Sequence, residues 1–340
     1  SADGEAGDRA AFDYLTSLGQ TGEPIAIFRR QRSDVGLAVA RRARVLGVAP
    51  TRDEAALLAA IEAYARAIWI ARGREDHAVR LVAMTMARRA SSSRAAIERT
   101  LERRVAPLVD GSAEPAQAPL PWEEVDRSDQ VESDAMLSAR GLASVDEERK
   151  ALEHLIELAR RCTASSKFHR LRRLLDLVRE PAVIFTEYRD TLDAIVAALP
   201  ESSRRVGFIH GGLPTEPRRS TVDAFNDGRV DVLVATDAAG EGLNLHHRCR
   251  LVIDLELPWN PLRLEQRIGR VDRLGQRRTV HAVRLFHPGT IESSVLEHLR
   301  GRHHRADRDV AAAVFDGRST DSDEPDIRGL VVAAAKEEAR

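Results

Sequence analysis

Along the first hundred residues apolar side chains recur every three to four positions. Ala55, Leu58, Ala59, Ile61, Ala65, Ile68 and Trp69 form one stripe, and Val79, Leu81, Val82 and Met86 continue on the next. This spacing predicts helix throughout about 8–105, so residues 1–106 read as an all-helical region. A further helix is predicted over roughly 147–179. The period then changes. Nearly all-apolar runs at 182–187, 205–209, 231–236, 250–255 and 280–286 read as strands, and amphipathic patterns at 189–199, 215–226, 261–271 and 290–304 as helices. Strands that are apolar throughout and alternate with helices form a parallel sheet covered on both faces. The expected class is α/β: a parallel sheet flanked by helices over 150–305, preceded by the all-helical region.

Two stretches break these patterns. Residues 107–149 hold four prolines and eleven acidic residues against three arginines, which marks a solvated acidic linker. Residues 306–340 read as an acidic tail with a short helix. With 52 basic and 53 acidic residues among 340, the formal charge is −1, so any surface for nucleic acid must be local. Lys150, Lys167 and Lys336 are the only lysines, and this arginine bias by itself assigns no function. Cys162 and Cys249 stand far apart without a Cys-x-x-Cys pair or a histidine cluster at zinc spacing, which argues against a disulfide framework and a metal site. A reduced, cytoplasmic setting fits best. No apolar run approaches the roughly 20 residues of a membrane helix, and no signal-peptide pattern opens the sequence.

In parallel sheets ligands bind at the carboxyl ends of strands, and those ends here carry the unusual residues. The first ends in Phe185-Thr186-Glu187-Tyr188-Arg189, whose polar groups suit phosphate oxygens, although Thr186 equally suits a helix cap. The second ends in His210-Gly211-Gly212, where adjacent glycines either admit a ligand close to the backbone or turn the chain sharply. The third opens the small-residue loop Thr236–Asn244, and Leu257–Pro261 follows the fourth. Beyond it, Gln266-Arg-Ile-Gly-Arg270-Val-Asp-Arg273 places Gln266, Arg270 and Arg273 on one face of a helix. Two guanidinium forks on one face suit an anionic, phosphoryl-bearing target completed by a second protein surface. A solvated basic helix would have the same spacing.

Together "VIFTEYRDTLD", "HGGLPTEPRR", "VLVATDAAGEGLNLH" and "DLELPWNPLRLEQRIGRVDRLGQ" resemble the second RecA-like domain of superfamily-two helicases, closest to the RapA-like branch of Swi/Snf-type DNA translocases. They stand in the order and spacing of helicase motifs IV, V and VI. In the helical half, "FRRQRSDV" at 28–35 resembles this family's arginine-rich brace, and "ARRASSSRAAIERTLERR" and "SKFHRLRRLL" its segments leading into the second motor domain. The resemblance covers about 25–300. It implies that Arg270 and Arg273 act as arginine fingers on the ATP γ-phosphate with Gln266 beside them. It also implies that Gly242 and Asn244 line the ribose side, and that Thr186, His210, Gly211 and Thr236 lie near the nucleic-acid backbone.

A complete motor also needs the Gly-x-x-x-x-Gly-Lys-[Ser/Thr] loop and an acidic motif that holds Mg²⁺. The sequence has no Gly-Lys pair, and "DEERK" at 146–150 does not follow an apolar strand. The reading is therefore the C-terminal half of an ATP-dependent double-stranded-DNA translocase, inactive alone. Its ATP and Mg²⁺ would be held mainly by a first motor domain on the same or another polypeptide. Two alternatives stand beside it. One is a non-catalytic module that docks a protein partner such as RNA polymerase or a DNA-modification or phage-defence complex; the other is an RNA-directed helicase.

Overall fold

A computed structural model describes residues 41–72, 77–110, 141–142, 144–199, 204–240, 242–258 and 260–303. The brace-like stretch 28–35, the tail 306–340, most of the acidic linker, Glu241 and Trp259 lie outside the described residues.

The chain enters the description at β1 (Arg41–Gly47) and continues through α1 (Arg52–Arg72), α2 (His77–Ser92) and α3 (Arg94–Asp110). After the linker come α4 (Val145–Arg161) and α5 (Ser166–Val178). Strand and helix then alternate: β2 (Ala182–Thr186), α6 (Arg189–Ala198), β3 (Val206–Ile209), α7 (Thr215–Asn226), β4 (Val232–Thr236), the single turn α8 (Asp237–Gly240) and β5 (Leu251–Asp254). The last elements are α9 (Pro261–Ile268), β6 (Val280–Phe286) and α10 (Ile291–His303). The six strands form one sheet in the order β1-β6-β5-β2-β4-β3, every pair parallel.

Every residue of β2, β4 and β5 is buried, as their unbroken apolar runs require. Alternate side chains feed two cores. On one face Ile184, Val234 and Ile253 meet Leu171, Leu174 and Leu175 of α5 and Leu192 and Ile195 of α6. On the other, Val183, Leu233 and Val252 meet Phe225 of α7, Leu245, Ile268 and Val271. A third core lies among α1–α4, where Ile61, Ile68, Met86, Ile97, Leu101 and Leu152 are each at most 1% exposed. Inside it Arg104 pairs with Glu148, and Tyr64 donates to Glu148 Oε1 at 2.9 Å. Glu148 also accepts from the Gly141 and Leu142 amides, so the "DEERK" stretch supplies a buried anchor at the first turn of α4.

Three expectations change. Residues 41–47, expected to be helical, form an edge strand paired residue for residue with β6, Arg41 opposite Val280 and Gly47 opposite Phe286. Only Ala43 of this strand is buried, so its arginines read as polar helix in sequence. The single helix expected over 147–179 is two, because Cys162 leaves helical geometry and the Ser165 hydroxyl caps a new start by accepting from Phe168 N at 3.4 Å. The helix expected over 261–271 ends at Ile268. Among the described residues no helix is long and apolar enough to cross a membrane.

Candidate functional site

The chain leaves β2 for β3 on one side, returns to β4, then crosses to β5 on the other, so its direction reverses around β2. Such a reversal opens a crevice at the carboxyl ends of the neighbouring strands. Here it is filled by charge. Arg267 of α9 donates Nε to Asp237 Oδ1 at 2.6 Å and Nη2 to Asp237 Oδ2 at 2.8 Å, while its Nη1 reaches Asp254 Oδ1 at 2.9 Å. Arg263, one turn earlier, adds a bond to Asp237 at 3.3 Å. Burial pushes the Asp237 carboxyl up, but the Arg267 and Arg263 guanidinium groups outweigh it and hold it below the usual range. Arg267 is 2% exposed and sits 5.6 Å from the Phe185 ring centroid. It is thus a structural tie between two strand ends and α9, which spacing in the sequence did not reveal.

The candidate nucleotide residues form a second group on the adjoining flank. Gln266, Arg270 and Arg273 do not share one helix: Gln266 is exposed on α9, whereas Arg270 and Arg273 are half-buried in the turn that follows Gly269. Leu245 N donates to Arg270 O at 3.1 Å, which sets the 242–245 loop against this turn. Gly242 is exposed at φ +77°, and a Cβ built there would meet nothing within 4 Å, so open space faces the backbone. Asn244 is exposed, and its Oδ1 is bonded to His246 Nδ1. Burial, then the neighbouring His247 and Arg273, depress the His246 pKa, so a neutral ring with its proton on Nδ1 fits this contact. Arg273 donates Nε to Gly269 O at 3.2 Å, which folds its stem against its own turn.

Gln276, 6% exposed, fastens loop to turn. Its Nε2 donates to His246 O, Cys249 O and Val271 O at 2.9, 3.0 and 3.3 Å, and its Oε1 accepts from the Arg277 and Arg278 amides, each at 3.1 Å. No periodicity points to Gln276. The one signal was its place in the "DRLGQ" string.

The four residues expected near nucleic acid separate. Thr186 and Thr236 are fully buried, and the Thr186 hydroxyl donates to Glu256 Oε2 at 3.2 Å, so these hydroxyls face inward. His210 is 6% exposed, with its ring stacked 6.4 Å from Phe208, while Gly211 is exposed at the mouth of the same turn. At this strand end Gly211 and Gly212 are the exposed residues.

Over β2 and β5 the carboxyl edge is covered by the serine-rich end of α2. Ser92 Oγ donates to Glu256 Oε2 at 3.2 Å, and the Ser92 and Ser93 hydroxyls bond Thr191 at 2.8 and 2.7 Å. Arg88 pairs with Glu187, and Arg89 with Asp190 at 3.1 Å. Burial raises the Glu256 pKa to about 7; Arg267 opposes this and the nearby Glu187 carboxylate adds to it. Among the described residues no three His, Cys, Asp or Glu side chains converge as metal ligands. Gly242, Asn244 and Gln266 are exposed and Arg270 and Arg273 half-buried, so these are the residues of the loop and turn that a nucleotide's sugar and phosphate could reach.

Residues 166–275 match the family model described as the helicase conserved C-terminal domain. An uncharacterized ATP-dependent helicase of Bacillus subtilis is 36% identical over 161 residues, 47% of this chain and 28% of that protein. The pre-mRNA-splicing ATP-dependent RNA helicase PRP28 of Yarrowia lipolytica is 40% identical over 115 residues, 32% of this chain and 20% of that protein. The chain thus spans less than a third of either relative. Among solved structures, the Hef helicase domain of Pyrococcus furiosus aligns over 79% of this chain and 60% of its own, with TM-score 0.51 and 16% identity, a likeness of fold. The parallel sheet with its flanking helices is the RecA-like fold of helicase C-terminal domains, and residues 166–275 are such a domain.

Proposed function

We propose that this chain is the C-terminal motor half of an ATP-dependent translocase acting on double-stranded DNA. In this reading Arg270 and Arg273 are the arginine fingers, and Gly242, Asn244 and Gln266 contact the nucleotide. One observation supports it: the Leu245 N to Arg270 O bond at 3.1 Å sets the glycine loop against the arginine turn.

ATP supplies the phosphoryl bond whose cleavage drives the cycle, and a complementary RecA-like domain, on this or another polypeptide, would hold its phosphates and Mg²⁺. Arg270 and Arg273 neutralise charge that grows on the transferring phosphoryl oxygens, a role worth roughly 10³–10⁵ in rate. Open space beside Gly242 admits the sugar, and the Asn244 amide, fixed by His246, orients its hydroxyls. Backbone groups of the exposed turn after His210, at Gly211, grip phosphates, which gives binding with little sequence readout.

The choice of duplex DNA rests on the Swi/Snf-like motif series. The Yarrowia lipolytica relative, named as an RNA helicase, supports an RNA substrate as the second reading. The test is reconstitution with the complementary motor half, followed by ATPase assays in competing duplex DNA and RNA. DNA-stimulated hydrolysis that falls at least 10³-fold in Arg270→Ala is the expected result. Undiminished turnover in that variant would remove the finger assignment, and stimulation by RNA alone would move the substrate to the second reading.

A further inference from the structure

The turn 269–276 carries both candidate fingers beyond the end of α9 at Ile268, held from below by Arg270 N to Arg267 O at 3.1 Å and Asp272 N to Ile268 O at 2.8 Å. We propose that Arg41, at the far end of the described sequence, is the positioning residue that fixes this turn. The inference rests on the arginine-finger reading above.

Strand alternation puts Arg41 on the same face of β1 as Ala43. Ala43 belongs to the core shared with Ile268 and Val271, so Arg41 is aimed at α9 and the turn. Its guanidinium takes both sides of that element. Nη1 donates to Glu265 Oε2 at 2.9 Å, and Nε donates to Asp272 Oδ2. One rigid fork therefore brackets Gln266 to Val271, fastening the last turn of the helix to the chain that leaves it.

Asp272 lies between Arg270 and Arg273 in sequence and is 3% exposed, while Arg41 is 26% exposed. A displacement of Asp272 would carry both neighbouring arginines with it. Gln276 grips the opposite side of the turn through Val271 O, while Arg41 holds the Asp272 carboxylate. A misplacement of about 1 Å at such a site costs on the order of 10²-fold in rate. Arg41 does not touch the candidate nucleotide surface itself, so its loss should act on turnover and leave nucleotide affinity nearly intact.

The experiment uses the full chain reconstituted with the complementary motor half, and compares Arg41→Met, Arg41→Lys, Arg270→Ala and the double variant Arg41→Met/Arg270→Ala. Expected is a fall in kcat of about 10- to 100-fold for Arg41→Met, with KM for ATP within about twofold. Arg41→Lys, which can reach only one carboxylate, should recover part of the loss. The double variant should lose less than the product of the two single losses, because the share of the positioning effect that acts through Arg270 vanishes with it while the share through Arg273 remains. Amide exchange across 269–276 in the full chain alone is the second readout, and it should quicken in Arg41→Met while β2 and β4 keep their protection.

Wild-type kcat and unchanged exchange in Arg41→Met, beside a slow Arg270→Ala, would overturn the inference while leaving the fingers standing. Additive losses in the double variant would overturn it too, because Arg41 would then act elsewhere. If Arg270→Ala turned over normally, the finger reading would fall, and the exchange measurement would still decide whether Arg41 holds the turn.

Discussion

Within one eight-residue run, Arg267 and the pair Arg270 and Arg273 occupy opposite surroundings. Arg267 is on the helix, 2% exposed, and every part of its fork faces a carboxylate. Arg270 and Arg273 are half-buried in a turn beside an exposed glycine loop. The same side chain serves as a tie in one place and as a candidate ligand in the other. What marks Arg267 is that neighbouring strands deliver acids to it. Asp237 and Asp254 reach Arg267 from the ends of β4 and β5, so its charge is spent internally.

Stability measurements on the two kinds of arginine give the largest contrast. Arg267→Met should cost about 3–5 kcal/mol in denaturant unfolding, because it strands Asp237 and Asp254 in the interior without their shared cation. Arg273→Ala should stay within about 0.5 kcal/mol. Equal losses would erase the distinction.

The second measurement concerns the joint over β2 and β5. The Glu256 pKa is raised to about 7 in the fold, so between about pH 4.5 and 7 the folded chain keeps a proton that the unfolded chain releases. Stability from this group is therefore greatest below the unfolded pKa and falls as pH rises to about 7, by at most about 3 kcal/mol, then levels off. Glu256→Gln should flatten that slope in unfolding curves taken across the range; a slope identical to wild type would assign the titration to another group.

The smallest effect belongs to the turn. Gln276→Leu leaves three carbonyls and two amides without their side-chain partner, and about 1–3 kcal/mol of destabilisation is expected. A loss below about 0.5 kcal/mol would mean that water or backbone replaces Gln276 with ease.

How far all this could be read in advance depends on where the physical cause resides. The strands 182–186 and 232–236 were legible because a strand buried on both faces must be apolar at every position. β1 was not, since Arg-Arg-Ala-Arg-Val-Leu-Gly has one buried side chain and takes its conformation from pairing with β6. Gln266, Arg270 and Arg273 do not share the helix their spacing suggested, because α9 ends at Ile268. Arg267 and Gln276 stayed hidden for a different reason. Their partners come from residues 237, 246, 249 and 254, which only the folded chain brings near.

The pairing of β1 with β6 also has a history in time. Arg41 meets its neighbour at Val280, and Gly47 meets Phe286. At roughly 5–20 residues per second of synthesis, the earliest described strand waits on the order of tens of seconds for its mate to emerge from the ribosome. Pairings this distant in the chain are slow to form, and until they do the strand's amides and carbonyls stand ready for any other strand. Arg41, Arg42 and Arg44 give it three positive charges during that interval, which keep like strands apart. The contact between Arg41 and Asp272 spans 231 positions, so it too forms only after most of the chain has been made.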